Sequence, residues 1–464
     1  MAQKKNSAWL YIRHLWNSED IRRKLIITLI ILAIYRIAAN VPAPGVNAAA
    51  LKNFQQQSSS AGGNFLNFLD LLSGGTITSF SLLSMGVYPY ITAQIILQLL
   101  VPIIPSLQKR MDDDPREGRK WMEKWTYYLA VPMAALSAIG QINIFNSLAS
   151  QALGGTNIVN FGFTADLWLP SLTTLLAMTA GTMFAIWLGE LISEYGIRGQ
   201  GLSLVIFAGI VARMPRNLQS LLADPATRWF MLFFTLFVII LTIFAIVYVQ
   251  QGRRNVPVMY PGRRMGNRMS MPVKGTLPLM VNMAGMIPLI FASAILQFPV
   301  IIASYFLRSQ TQFVASAANW IQTNLSGSTN SWLYWFLYFV MVVVFTFFYT
   351  TVLFDQQNYG ENLKRVGAQI PGVNRGAPTQ KYLKRVQSLI TMPGALFLGI
   401  VAIMPFIISL LLKLFNVATA ASSAGLFLVS SSGLLIVVGV VRDAFMNIEA
   451  ELKLHGYEDT LLVK

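Results

Sequence analysis

The chain has 464 residues, of which 55% are hydrophobic and only 12% charged, with a net charge of +16 and a mean hydropathy of +0.55. A soluble domain carries about 25% charged residues, so a lipid bilayer is the expected solvent for most of this chain. The absence of cysteine excludes disulfides, thiol catalysis and thiolate metal sites. Both histidines, His14 and His455, lie near the termini outside every apolar run. We therefore expect no haem, metal site or other cofactor.

Residues 1–21 are predicted to form a cytoplasmic amphipathic segment. Positions 1–24 are polar and basic without a small-residue cleavage site, so they do not resemble a cleavable signal peptide. Residues 9–16 interleave aromatic and charged side chains, a pattern typical of a helix lying in the membrane interface.

Ten windows with few or no charged residues follow, and each is predicted to be a transmembrane helix, since a span needs about 20 mostly apolar residues. In chain order the predicted spans cover residues 25–39, 80–100, 125–144, 167–188, 202–211, 229–249, 277–306, 332–354, 389–412 and 425–441. The fifth window is the shortest. The predicted fold class is an all-α polytopic membrane protein with ten transmembrane helices.

The distribution of basic residues predicts the orientation. Of the 35 lysines and arginines, 28 fall in the N-terminal segment, in alternate loops and in the C-terminal tail. Because loops rich in Lys and Arg remain on the cytoplasmic side, both termini are predicted to be cytoplasmic, in the cell (cytoplasmic) membrane.

One apolar segment, at 62–75, is too short to span. Residues 65–72 lie between two glycine pairs, and eight helical residues rise only about 12 Å. We predict a re-entrant or plugging helix that the glycines allow to swing. Its apolar side chains are Phe65, Leu66, Phe68, Leu69 and Leu72.

Spans two and seven carry an internal repeat. Residues 86–98 and 285–297 are identical at seven of thirteen positions, including a Gly-x-x-Pro motif that we expect to kink each helix. Spans five and ten show a fainter similarity. Chance similarity between apolar segments is the alternative. Because the two copies are five spans apart, the second would be inserted upside down, and such inverted repeats place the working site at their interface.

The apolar spans are compatible with three classes of membrane protein: a secondary transporter, an intramembrane hydrolase and a passive channel. A secondary transporter of small solutes would carry ionisable groups within its spans, whereas Arg36 and Glu190 lie near span ends and are expected to reach the interface. An intramembrane hydrolase would need a Ser–His, paired-Asp or metal constellation inside the spans, and the sequence has none. The third class is a passive channel without enzymatic activity, which agrees with the absence of a phosphate-binding Gly-x-x-x-x-Gly-Lys loop.

A set of motifs, each weak alone, extends over nearly the whole chain: VPAPG at 41–45, GVYPYI at 86–91, GQGLS at 199–203, VNMAGMIP at 281–288, IPG at 370–372 and GLLIV at 433–437. In these motifs the chain resembles the SecY family of protein-conducting channels, and its loops resemble those of the bacterial members.

The resemblance implies a clamshell of two inverted five-helix halves around a narrow pore. The first half would be 22–212, including the plug at 62–75. An external hinge loop, 213–228, would join it to the second half, 229–442, and a cytoplasmic tail, 443–464, would follow. The pore ring would consist of Val87, Ile91, Leu202, Ile206, Ile290 and Ile436. From the sequence alone, these side chains could equally be ordinary core or lipid-facing residues.

Spans two and seven would form a lateral gate that releases signal sequences and transmembrane segments into the membrane lipid. Interhelical hydrogen bonds from Thr92, Gln98 and Asn282 would hold the gate shut, with Phe298 also lining it. Helix packing without a gating role is the alternative for these polar residues.

The resemblance also implies partners: SecE and SecG-like small membrane subunits, the SecA motor, the ribosome and the translocating polypeptide. The cytoplasmic loops 250–276 and 355–388 would bind ribosomal RNA or SecA, unless their charge reflects topology alone. Their basic residues are Arg253, Arg254, Arg263, Arg264, Arg268, Lys364, Arg365, Arg375, Lys384 and Arg385. The family usually reads Pro-Gly-x-Arg-Pro-Gly in the second loop, whereas this chain reads PGVNRG at 371–376, so the arginine is displaced by one position. This departure puts the docking role of Arg375 in doubt.

Overall fold

The computed structural model describes residues 18–47, 80–152, 158–162, 167–197, 199, 201–212, 214–215, 228–261, 264–265, 268–269, 273–306, 311–325, 331–414 and 431–454. Residues 1–17 of the predicted amphipathic segment, the predicted plug with Asp70, most of the predicted hinge loop and the end of the tail lie outside these residues.

Most of the described residues are helical. In chain order the helices are α1 (Glu19–Ala38), α2 (Tyr88–Ile103), α3 (Pro105–Asp113), α4 (Pro115–Ala152), α5 (Trp168–Tyr195), α6 (Gly201–Val211), α7 (Arg228–Gln251), α8 (Ile287–Phe306), α9 (Gln312–Leu325), α10 (Trp332–Gln356), α11 (Tyr359–Arg365), α12 (Ala377–Leu414) and α13 (Ser431–Leu454). A described helix overlaps each of the ten predicted spans.

By length and composition, four of the described helices are able to cross a membrane: α5, α7, α10 and α12. A fifth would be the pair α2 and α3, which bends by 99° at the break between them. Pro105 directly follows the break at Ile104, and a proline disfavours helical backbone at the residue before it. The shorter apolar helices include α6 and the first part of α8.

The all-α prediction is wrong for the loop between α7 and α8. Here β1 (Arg253–Tyr260) pairs antiparallel with β4 (Val273–Met280), and β2 (Arg264–Met265) pairs with β3 (Arg268–Met269). In β1, Val256 and Val258 are buried while their neighbours are exposed. This alternation of burial is the pattern of a strand with one packed face.

The predicted starts of spans two and seven are also wrong. Residues 80–87 form turns, so α2 begins eight residues later than predicted. Residues 277–280 belong to β4, so α8 begins ten residues later. Apolar composition marks burial in both segments, but it does not distinguish a helix from the turn or strand that precedes it.

The helix contacts repeat between the two halves of the chain. In the first half α1 packs on α5 and α6, α2 on α4, α4 on α5, and α5 on α6. In the second half α7 packs on α12 and α13, α8 on α10, α10 on α12, and α12 on α13. Every pairing in the first list has its counterpart in the second, at the same position in the order of spans. The internal repeat therefore extends to the packing of two five-helix units.

Candidate functional site

The two halves meet along two sets of contacts, which together form what we call the seam. Helix α8 packs against α2 and α4, and α13 packs against α6. Two of the clusters of buried side chains meet here, and we call them the first-half cluster and the second-half cluster. Ile436 and Val440 of α13 belong to the first-half cluster, whereas Tyr88 and Ile95 of α2 belong to the second-half cluster. Each half therefore packs a helix into the other.

The structure brings together most of the predicted ring at this seam. Val87, Ile206 and Ile436 are buried members of the first-half cluster, and Ile91 and Leu202 pack against it. Ile290 is buried on α8. Ile91 also packs against the second-half cluster, as does Met286. These two side chains lie where the clusters join.

The repeated Gly-x-x-Pro motif forms the start of a helix and not a kink within one. Gly86 and Gly285 have φ of +53° and +63°, in the left-handed region that glycine adopts readily. Helices α2 and α8 begin two residues later, and Pro89 and Pro288 occupy the second helical position. A proline at the start of a helix loses no hydrogen bond, because the first amides have no partner within the helix. Both copies thus adopt the same local structure.

The polar residues assigned to the gate make local contacts. The Thr92 hydroxyl lies 2.9 Å from the Tyr88 carbonyl oxygen and 3.0 Å from that of Pro89, both in its own helix. The Asn282 side chain accepts a hydrogen bond from Gly285 N at 2.9 Å and donates one to Gly285 O at 3.1 Å. These bonds are not the interhelical bonds that the sequence analysis expected. Threonine in a helix commonly bonds the carbonyl one turn earlier, and asparagine commonly braces a turn.

Two further gate residues differ in their surroundings. Oε1 of Gln98 is buried without a hydrogen-bond partner in the described part of the chain. The Phe298 ring is exposed on the second half of α8. Helices α2 and α8 themselves do contact each other through apolar side chains.

The two predicted cytoplasmic loops form one packed body, a feature that the sequence analysis missed. We call it the loop unit: β1, β4, α11 and the start of α12, with residues 366–376 between the last two. Val256, Val258 and Leu279 of the strands pack with Leu363, Ile370 and Leu383 of the second loop. The backbones of Met259 and Gln369 exchange two hydrogen bonds of 2.8 and 2.9 Å. In the sequence, the valines at alternate positions of β1 were the signal from which a strand with one packed face could have been predicted.

Most of the predicted docking residues lie on the surface of the loop unit. Arg253 and Arg254 are exposed on β1, and Arg375 and Arg385 are exposed in the second loop. Arg264 and Arg268 belong to β2 and β3, and Arg263 lies outside the described residues. Lys364 and Arg365 lie 3.9 Å from the Glu361 carboxylate, and Lys384 Nζ lies 2.7 Å from Asp355 Oδ2.

One titratable group in the loop unit has a shifted pKa. The Tyr359 ring lies against Phe354, with centroids 5.2 Å apart, and burial raises the pKa of its phenol. The phenol therefore stays neutral at physiological pH. Among the described residues, no group of three His, Cys, Asp or Glu side chains is arranged to hold a metal ion.

The apolar helices and the repeated packing of the two halves together define an α-helical membrane protein. The chain belongs to the SecY family, whose model matches residues 81–445. This confirms the resemblance seen in the sequence motifs.

Relatives and solved structures agree with this assignment. Protein translocase subunit SecY of Streptomyces scabiei is 35% identical over 451 residues, covering 96% of this chain and 98% of the relative. The subunit of the same name from Aquifex aeolicus is 36% identical over 445 residues, covering 95% and 97%. Two solved structures share the fold. One, described as "The structure of a protein conducting channel", has a TM-score of 0.59 and 18% identity, covering 93% of this chain and 92% of that one. The other, which concerns the plug domain of the SecY protein, has a TM-score of 0.57 and 19% identity over the same shares.

Proposed function

We propose that this chain is the central channel through which unfolded polypeptides cross the cytoplasmic membrane. The observation that carries the proposal is the apolar seam, in a chain whose relatives are protein translocase subunits. The seam joins two repeats through aliphatic side chains, and such side chains leave no hydrogen bond broken when they separate. A passing polypeptide would therefore separate the side chains of the ring at a small cost in free energy.

The ten predicted spans, with both termini cytoplasmic, supply the framework for this channel. The halves 22–212 and 229–442 form the clamshell, and 213–228 acts as its external hinge. At rest the ring of Val87, Ile91, Leu202, Ile206, Ile290 and Ile436 excludes ions, because wetting a narrow aliphatic neck is unfavourable. The segment containing Phe65, Leu66, Phe68, Leu69 and Leu72 serves as the plug.

Lateral release takes place between α2 and α8. The apolar packing between them, from residues such as Tyr88 and Ile95 on α2, is proposed to hold this gate closed. That assignment replaces the interhelical hydrogen bonds first expected from Thr92 and Asn282. Contacts between apolar side chains exchange readily for contacts with lipid or with a signal sequence, since both are equally apolar.

The driving force comes from partners that bind the loop unit. Its exposed arginines suit an anionic partner, either ribosomal RNA or acidic surfaces of a SecA-type motor. Small SecE- and SecG-like membrane subunits are proposed to complete the complex.

The experiment that tests the channel uses a photo-crosslinking amino acid at Ile91 or Ile290. A secretory precursor stalled halfway through reconstituted complexes should crosslink at both positions. The matched control is Ile240, whose side chain is 59% exposed on α7. Crosslinks from Ile240 to lipid but not to the precursor are expected. A precursor that crosslinks at Ile240 and at neither ring position would overturn the proposed path.

A further inference from the structure

Helix α9 connects α8 to α10 and packs against both, but it is not one of the predicted spans. Its 14 residues rise only about 21 Å, less than the roughly 30 Å of the hydrocarbon core of a bilayer. The chain carries no charged side chain from position 309 to 354, so α9 is uncharged throughout. A helix exposed to water ordinarily has a charged face. The surroundings of α9 therefore differ from those of an ordinary water-exposed loop helix.

One face of α9 packs against the protein. It consists of four apolar side chains at positions three or four apart: Val314, Ala318, Ile321 and Leu325. Such positions lie on the same side of a helix. Ala318 is buried, and Leu325 packs against the second-half cluster. This face accounts for the contact of α9 with its neighbours.

The rest of the surface of α9 contains an aromatic strip and a polar strip. In the aromatic strip, Phe313 and Trp320 are two helical turns apart with Ala317 between them, and their rings are 84% and 56% exposed. The polar strip consists of exposed uncharged side chains: Gln312, Ser316, Asn319 and Thr323. At about 100° per residue, the aromatic strip lies between the packed face and the polar strip. Two large aromatic rings are thus exposed directly beside a hydrophilic surface.

Neighbouring helices carry exposed aromatic side chains at the same level. Phe306 ends α8 and Trp332 begins α10, the two helices that α9 connects. Trp168 and Trp229, which are also exposed, lie at the first positions of α5 and α7. In the proposed topology all four residues lie at the external ends of their helices. Tryptophan is enriched where the hydrocarbon core of a bilayer meets water, so Trp320 of α9 continues an aromatic belt.

We propose that α9 lies in the external interface of the lipid bilayer, with the aromatic strip inserted among the lipids and the polar strip in water. The Trp320 ring is then surrounded by apolar groups while its indole N–H donates to a lipid ester oxygen. Because α9 has no charge, the insertion requires no particular lipid headgroup. Helix α9 packs on α8, which forms one side of the proposed lateral gate, so the insertion fixes the depth of the external end of α8. This consequence rests on the proposed function.

The test uses the absence of cysteine, which allows a single label without background. An environment-sensitive fluorophore is attached at Ala317→Cys or at Asn319→Cys, in the purified complex in lipid nanodiscs. These positions are two apart, so their side chains extend from opposite sides of α9. The label at Ala317→Cys should emit at shorter wavelength and be quenched by lipids brominated near the top of their acyl chains. The label at Asn319→Cys should instead be quenched by iodide in the water.

Removing the aromatic rings should reverse the first result. With Phe313→Gln and Trp320→Gln, the label at Ala317→Cys should lose its quenching by brominated lipid and become accessible to iodide, because nothing then favours insertion of this strip. The matched control is Ser316→Ala with Thr323→Ala on the polar strip, which should leave the label at Ala317→Cys in the lipid. The two labels in the parent protein decide the proposal even where the double glutamine variant assembles poorly.

Several results would overturn the proposal. Equal quenching of both labels by iodide would place α9 in water. Strong quenching of both by lipids brominated at mid-chain would place it within the hydrocarbon core. Shielding of Ala317→Cys from iodide and from brominated lipid alike would show that a protein covers the strip. Insertion that requires anionic lipid would contradict an uncharged interface. Since no precursor is present, failure here leaves the channel proposal standing, and failed crosslinking leaves the position of α9 standing.

Discussion

The seam and the loop unit are both packed by aliphatic side chains, but they are joined in different ways. Across the seam, the described contacts between clusters are made by side chains such as Ile91 and Met286. In the loop unit, packing is combined with backbone hydrogen bonds along β1 and β4 and between Met259 and Gln369. In the part of the chain that the structure describes, separating the seam therefore exposes mainly apolar surface, whereas separating the loop unit also breaks hydrogen bonds. The seam is therefore suited to opening, and the loop unit to remaining assembled.

The largest expected loss of stability comes from the core of the loop unit. Leu383 is fully buried there. Leu383→Ala should lower the free energy of unfolding of this unit by about 3 kcal/mol, because it removes buried methyl groups and leaves a cavity. The measurement is the rate of limited proteolysis within 253–280. Val366→Ala, at a side chain that is 60% exposed, is the control and should change this rate little. Resistance equal to the parent would show that the two loops do not share a core.

At the seam, Ile436→Asn should lower the free energy of unfolding by about 2 kcal/mol, since a polar group replaces a buried aliphatic one. The distinguishing result is functional: the resting channel should conduct ions in planar bilayers, because the amide hydrogen-bonds water in the neck. The control is Ile240→Asn on the exposed face of α7. If folded Ile436→Asn stays as ion-tight as the parent, the residue is an ordinary core isoleucine, and the contrast with the loop unit disappears.

A smaller effect is expected at the start of α8. Gly285 has a φ of +63°, and apart from its chain neighbours no described residue has an atom within 4 Å of the position that a β-carbon would occupy. Gly285→Ala should therefore cost only the strain of a left-handed backbone, about 1 kcal/mol. Thermal unfolding in detergent measures it, with Gly86→Ala as the matched variant in the other repeat. Unchanged melting in both would show that neither turn depends on glycine.

The smallest effect on stability belongs to the exposed charges of the loop unit. Arg253→Glu with Arg254→Glu should alter the free energy of unfolding by less than about 0.5 kcal/mol, as surface substitutions usually do. Binding of the ribosome or motor should nevertheless weaken, and its dependence on salt concentration should become shallower, because fewer counterions are released. Arg119→Glu with Lys120→Glu, at exposed positions on α4, is the control for charge alone. Equal weakening in both variants would argue against docking on the loop unit.

How far the sequence predicted this fold depends on the kind of signal. Long windows without charge located helices well, because excluding charge is what an apolar environment requires. The boundaries were less predictable, since residues 80–87 and 277–280 are apolar without being helical. The glycine and proline of the repeat were seen but interpreted as a kink. Their placement at the first turn was available from the tolerance of proline there.

The sequence did not predict the loop unit, for a different reason. β1 contains Pro257 and begins with two arginines, so it has the composition of a solvated loop. Its partner strand is separated from it by twelve residues, and the packing against Ile370 and Leu383 joins segments about 100 residues apart. Local patterns carry no information on such pairings. The side-chain bonds of Thr92 and Asn282 were unpredictable likewise, because a hydroxyl or amide has several partners within reach and only the backbone geometry selects one.

The two backbone hydrogen bonds between Met259 and Gln369 have a mechanical consequence. β1 follows α7 after a single residue, β4 leads into α8, and the second loop connects α10 to α12. Four helices of the second half (α7, α8, α10 and α12) are thus connected at one end to the same packed body, the loop unit. If a partner binds either loop as proposed, a force that it exerts there would be transmitted to all four helices together. The first half lacks a comparable attachment in the described chain, so the force acts as a torque between the halves. Such a torque would act on the seam, where the described residues form no ladder of backbone hydrogen bonds to resist it.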